Sequence, residues 1–159
     1  MMTETYEEYM SEMQKASADC WKCFTVSRKD RKNSSAVLAS VCLKYKNRNS
    51  QAYEYVRRYT FVLSDMILID DSYIKKIIEA SREIWSMFKT KIKDIYDESL
   101  SEWIKRDGYW ERLINDFIRI SDKYWDSSII SYVRGYICVC LDEIDRIFRR
   151  KNEIRESQI

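Results

Sequence analysis

Cys20 and Cys23 stand at the Cys-x-x-Cys spacing of half a zinc site, and no second half follows. Histidine is absent from all 159 residues, which removes Ser-His, Cys-His and His-metal chemistry together. Asp70, Asp71 and Glu98 could do acid–base work only in a cleft that shifts their pKa values, and they stand where helix caps belong. Phosphate-cradling loops need several close glycines; the chain has only Gly108 and Gly135, and no proline. The expectation is a protein that is not an enzyme and holds no metal or cofactor. The block Arg28–Lys32, RKDRK, could touch phosphate or an acidic partner. It lacks interleaved aromatics and a reading helix, so a solvated loop is expected there. Nucleic-acid binding through residues 22–48 is kept as a rival reading.

The elements that must position these residues are helical. With 45% hydrophobic residues the chain can bury a core, and its shortage of turn residues argues against a sandwich or barrel. Tyr6, Tyr9, Met10, Met13, Cys20, Trp21 and Phe24 form one stripe, opened by a Thr5–Glu8 capping box. A basic loop is expected over 25–33 and a short helix over 34–47, broken by Asn47 to Ser50. A stripe from Ala52 through Tyr55, Val56, Tyr59, Val62 and Leu63 to Ile67 predicts a helix over 51–68. Asp70 to Ser72 then cap a long stretch over 74–103, either one kinked helix or two, which stops at Asp107-Gly108. Trp110, Leu113, Ile114, Phe117, Tyr124 and Trp125 share a face beyond it. The last helix carries Ile130, Val133, Ile137, Cys140, Ile144 and Phe148 and is apolar on more than one side near Gly135. That pattern makes it the most buried element. One all-α domain over 1–150 is expected, a compact bundle of about six to seven helices around a central hydrophobic helix, with a frayed polar tail at 151–159. The five tryptophans and twelve tyrosines supply an aromatic core or, more sharply, anchors lining a groove.

The acidic, polar N-terminus is the reverse of a secretory signal, so free thiols in a reducing cytoplasm are expected. Ile129 to Leu141 is too short and, with Arg134 inside it, too polar to cross a bilayer.

Lys105 to Phe117, KRDGYWERLINDF, resembles the first homology motif of the Bcl-2 family of apoptosis regulators. Arg106, Asp107 and Gly108 match its opening. Trp110 and Arg112 match its Trp and Arg once one residue is deleted, and Leu113 and Phe117 match later apolar positions. Tyr109 replaces the usual Asn and Glu111 the usual Gly, changes that narrow or recharge the groove. Trp103, Ile104, Gly108, Trp110 and Glu111 also fit the family's second homology motif without a gap. That motif closes the family's domain, whereas about 40 helical residues follow here, which favours the first register.

The resemblance implies a Bcl-2-like bundle with its central helix at 109–125. It also implies a hydrophobic groove that captures the amphipathic BH3 helix of pro-apoptotic proteins. Arg112 would pair with an aspartate of that helix, beside Gly108, Tyr109 and Glu111, with Tyr59 and Val62 contributed by the helix at 51–68. Val56 and Thr60 match the family's killer motif only loosely, so the implied sign is anti-apoptotic. No stable membrane insertion and a cytoplasmic location, in the host cell for a viral homologue, are implied, and a homodimer is allowed. The alternative is a generic helical adaptor or dimerisation protein.

Overall fold

The computed structural model describes residues 4–97, 108–125 and 127–157. Among them are six α-helices and no strand. Helix α1 spans Tyr6–Lys29, and the Thr5 hydroxyl caps it by accepting the Glu8 N–H at 3.1 Å. Glu7 and Glu8 lie at its positive end, Arg28 and Lys29 at its negative end. This is why the basic loop expected from residue 25 begins only after Lys29: basic residues suit the last turn of a helix. A 3₁₀ turn, Arg31–Asn33, leads into α2, Ser34–Asn47. Asn49 then takes a left-handed φ of 51°, which asparagine tolerates, and the chain turns into α3, Tyr53–Ser64.

Helix α3 is shorter than its stripe predicted. Arg28 reaches across from α1 and donates to the Met66 and Ile67 carbonyls at 3.2 and 3.1 Å, which stabilises a turn where the helix could have continued. The Asp70 carboxylate accepts the Ser72 N–H at 2.9 Å and opens the turn that precedes α4, Ile74–Tyr96. Gly108, at φ 87°, is the N-cap of α5, Tyr109–Asp122. Helix α6 runs Ile130–Ser157. Residues 98–107, with Glu98, Trp103, Ile104, Arg106 and Asp107, lie outside the described residues, as does the end of the 74–103 stretch.

Helices α4 and α6 form the inner pair. Helices α1 and α3 pack on them and carry α2 outside, while α5 packs against α4 and α6. The Lys91–Asp116 and Lys123–Glu83 ion pairs, at 2.8 and 3.3 Å, fix α5 antiparallel to α4. The central place expected for 109–125 therefore belongs to α6. The reason is stripe width. Helix α5 buries one narrow stripe, Leu113, Phe117 and Ile120, and leaves Ile114 and Ile118 exposed. Helix α6 buries Tyr132, Val133, Tyr136, Val139, Cys140 and Ile144, which lie on several sides of it. Nor does Trp125 share the inward face of α5. The helix ends at Asp122, and Trp125 is exposed beneath the Arg134 guanidinium, 4.4 Å from its ring centroid. Helix α6 continues past Arg150 to Ser157, with Arg150 paired to Glu4 at 3.1 Å and the Lys151 ammonium 3.9 Å from the centre of the Tyr96 ring; residues 158 and 159 of the expected tail lie outside the described residues.

Between the helices lies a tyrosine core. The Tyr55 and Tyr136 hydroxyls meet at 3.0 Å, as do those of Tyr59 and Tyr132, and Ser17 and Ser81 complete the two chains at 2.6 Å. The Tyr59 and Tyr136 rings stack at 4.4 Å. Close approach of α3 to α6 depends on Gly135, where a Cβ would stand 3.1 Å from both γ-carbons of Val62. Val62 is β-branched and held to one rotamer in a helix, so it cannot swing away. Alanine is the better helix former by about 1 kcal/mol, yet Gly135→Ala should lower stability by about 1 kcal/mol through overpacking. In a Val62→Ala background the same change should raise it. Urea unfolding of the four variants reads both signs.

Candidate binding groove

The first turn of α5 gathers four of the residues singled out from sequence. Gly108, Glu111 and Arg112 are exposed there, and Tyr109 is buried, its hydroxyl pushed up to about 12 by burial and by Asp94. A Cβ at residue 108 would lie 3.4 Å from Arg112 Nη1, ordinary contact, so glycine is required there by its backbone and not by space. The pocket beside Arg112 is small, about 200 Å³, and is walled by Lys91, Tyr109, Leu113, Asp116 and Arg119. Asp116 already engages Lys91 at 2.8 Å and Arg119 at 3.5 Å. No residue of α3 lines it. Tyr59 is in the tyrosine core and Val62 faces Gly135, so these two are not brought together with Arg112.

Tyr59 does form part of the floor of a second depression, between α1 and α4. Its volume is about 560 Å³, and Trp21, Trp85 and Tyr136 also line it. The floor hydroxyls are already paired, that of Tyr59 with Tyr132 and that of Tyr136 with Tyr55. Seven of the twelve tyrosines are buried and the other five pack partly buried against the core, so the aromatic abundance serves chiefly to fill the bundle.

A third groove runs between α2 and α3 and encloses about 580 Å³. The helices are antiparallel, with the Cys42 thiol 3.2 Å from the Thr60 hydroxyl across the floor. One wall is α2 from Ser34 and Leu38 to Cys42; Ser35 and Ala39 keep its rim low. The other is α3 and its following turn, from Thr60 and Ser64 to Ile67. Phe61 and Leu68 stand on that rim, each 72% exposed, and Leu43 nearby in the α2 sequence is 55% exposed. Arg31 and Arg57 also line the groove, and no acidic residue does. Inward residues of the same helices explain the shape. Leu38, Val41 and Tyr45 hold α2 to the bundle, while Tyr55, Val56, Tyr59 and Leu63 hold α3, so Phe61 and Leu68 are left over.

Sequence spacing placed Ile67 on an inward stripe, but it did not single out Phe61 or Leu68, the two residues that define the rim. The available signal was Phe61 and Leu68 falling off the inward stripe: a large apolar residue that a helix does not need for its core. The basic segment is partly spent inside the protein. Arg28 holds the Met66 and Ile67 carbonyls and Asp71, and Lys44 pairs with Asp19 at 2.9 Å. Among the described residues no helix is long and apolar enough to cross a membrane, and no group of three His, Cys, Asp or Glu could hold a metal ion. Comparison with protein-family models, curated proteins and solved structures finds no match to this chain.

Proposed function

We propose that this chain is a binding protein that captures an amphipathic helix of a partner in the α2–α3 groove. The observation that carries the reading is the pair Phe61 and Leu68, fully presented on the rim of a groove that a third helix would complete. Low residues on the opposite rim let a helix backbone come close, and apolar anchors at i, i+3, i+4 and i+7 match the length of the walls. Among partner helices, the resemblance at 106–117 points to the BH3 helices of pro-apoptotic proteins, whose capture would make the protein anti-apoptotic.

A panel of such helical peptides, titrated calorimetrically, tests both levels. At least one peptide should bind, and Phe61→Ala combined with Leu68→Ala should weaken it by ~2 kcal/mol or more, the scale of lost hot-spot anchors. Thermal unfolding should stay unchanged, since both side chains are exposed. Arg112→Ala should then have little effect. Weakening by Arg112→Ala with the double variant silent would move the site to the α5 pocket, as the family resemblance implies. Binding only of amphipathic helices unrelated to apoptosis would support the adaptor reading.

A further inference from the structure

We propose that the helix taken by the α2–α3 groove is acidic at both ends of its apolar face, with carboxylates about 21 Å apart, and lays its more acidic end beside Arg31. This rests on the helix-capture reading and names the partner's chemistry. Because α2 and α3 are antiparallel, the groove has two unlike ends. Arg31 stands at the end where α2 begins and where Ile67 and Leu68 follow α3. Arg57 stands at the other, one turn before the Cys42–Thr60 contact. From Arg31 to Cys42 the wall runs roughly three helical turns, about 16 Å at the ordinary rise, and Arg57 lies one turn farther on, so the two cations stand about 21 Å apart along the groove. Between the two cations the lining is apolar or hydroxylic, and it contains no carboxylate to neutralise them.

The Arg31 end is the more basic. The RKDRK block supplies it: Arg28 is turned inward onto the Met66 and Ile67 carbonyls, Asp30 is engaged by the Asn33 amide at 2.9 Å, and Lys29, Arg31 and Lys32 remain exposed. Among the described residues Arg31 has no side-chain hydrogen bond or ion pair. At the other end the Glu54 carboxylate accepts from Arg57 Nε and Nη2 at 3.2 and 2.8 Å, which leaves Nη1 for a ligand and makes Glu54 a competitor. A helix with lysines at these ends would meet like charge at both, so the arginines reject as well as attract.

The test uses the full chain and designed helical peptides with one apolar stripe and Glu, Gln or Lys at the two end positions. Glu at either end should tighten binding about three- to tenfold over Gln, and Lys should weaken it, with the differences shrinking as salt rises. Arg31→Gln should abolish the preference at one end only and Arg57→Gln at the other. Glu54→Gln should strengthen binding of the Glu-ended peptide. Equal affinity for Glu-, Gln- and Lys-ended peptides would overturn this proposal while leaving helix capture intact. Failure of every peptide to bind would overturn both, and concentration-dependent dimerisation blocked by Phe61→Glu would then assign the groove to a second copy of the chain.

Discussion

Raising the pH past the ordinary tyrosine range should unfold this protein in one cooperative step. Burial pushes the hydroxyls of Tyr9, Tyr55, Tyr59 and Tyr136 well above the usual value of 10.0, and that of Tyr132 up to about 12. At Tyr9 the nearby Glu143 carboxylate adds to the effect. Below pH ~10 folded and unfolded chains both keep these protons, so the groups contribute their full stability. Above it the unfolded chain releases protons that the folded chain retains, and stability falls as pH rises towards the folded values. Each group lowers stability by ~1.4 kcal/mol per pH unit in that window, and five together by ~7 kcal/mol. Against a total of ~5–15 kcal/mol, the midpoint should fall roughly one to two units above the ordinary tyrosine value. Tyrosinate absorbance and far-ultraviolet circular dichroism should change together. Buried tyrosines titrating one by one while the helices persist would show that the core admits water and that the hydroxyl chains are not sealed.

That core also shows how far the sequence could be read. Stripes at helical spacing marked most of the inward faces of α1, α3, α4 and α5 because each stripe is set by the period of a single helix. The caps were legible at Thr5 and Asp70 because a short side chain satisfying a backbone N–H is a local event. The left-handed Gly108 was legible as a break for the same reason. Placement was not local. Leu113 and Phe117 share a face whether α5 is central or peripheral, and only the breadth of the buried surface on α6 decides between them. The end of α3 depended on Arg28, more than thirty residues earlier, reaching the turn at Met66 and Ile67. Tyr59 was correctly placed on an inward stripe. Inward meant towards Tyr132 and Tyr136, however, not towards a ligand or Arg112. Phe61 and Leu68 went unnoticed because a stripe records what a helix buries and passes over what remains outside.

Glu143→Ala should be among the most damaging single substitutions in the chain. The sequence gives no warning of it, since Asp142-Glu143 reads as solvated charge on an ordinary helix. In the fold Glu143 is only 3% exposed. Its carboxylate accepts the Tyr9 hydroxyl of α1 at 2.7 Å and pairs with Arg146 one turn later on α6 at 2.5 Å. Arg146 in turn donates to the Gln51 carbonyl at 3.0 Å, so one carboxylate ties together α1, the entry to α3 and α6. Truncation leaves a half-buried guanidinium without its counter-charge and a buried phenol without its acceptor. The combined cost should be ~3–4 kcal/mol, a fall in melting temperature of roughly 10 °C. Tyr9→Phe, which removes only one donor, should cost ~1 kcal/mol. Glu143→Gln retains an acceptor for Tyr9 and should fall between the two. Replacing the set together, with Tyr9→Phe, Glu143→Leu and Arg146→Met, should recover much of the loss, because no buried polar group is then left unpaired. Denaturant unfolding of these variants orders them. A Glu143→Ala cost within ~0.5 kcal/mol, the range of an ordinary surface change, would mean that water reaches Arg146 and Tyr9 and that the junction of α1, α3 and α6 is held by its apolar contacts alone.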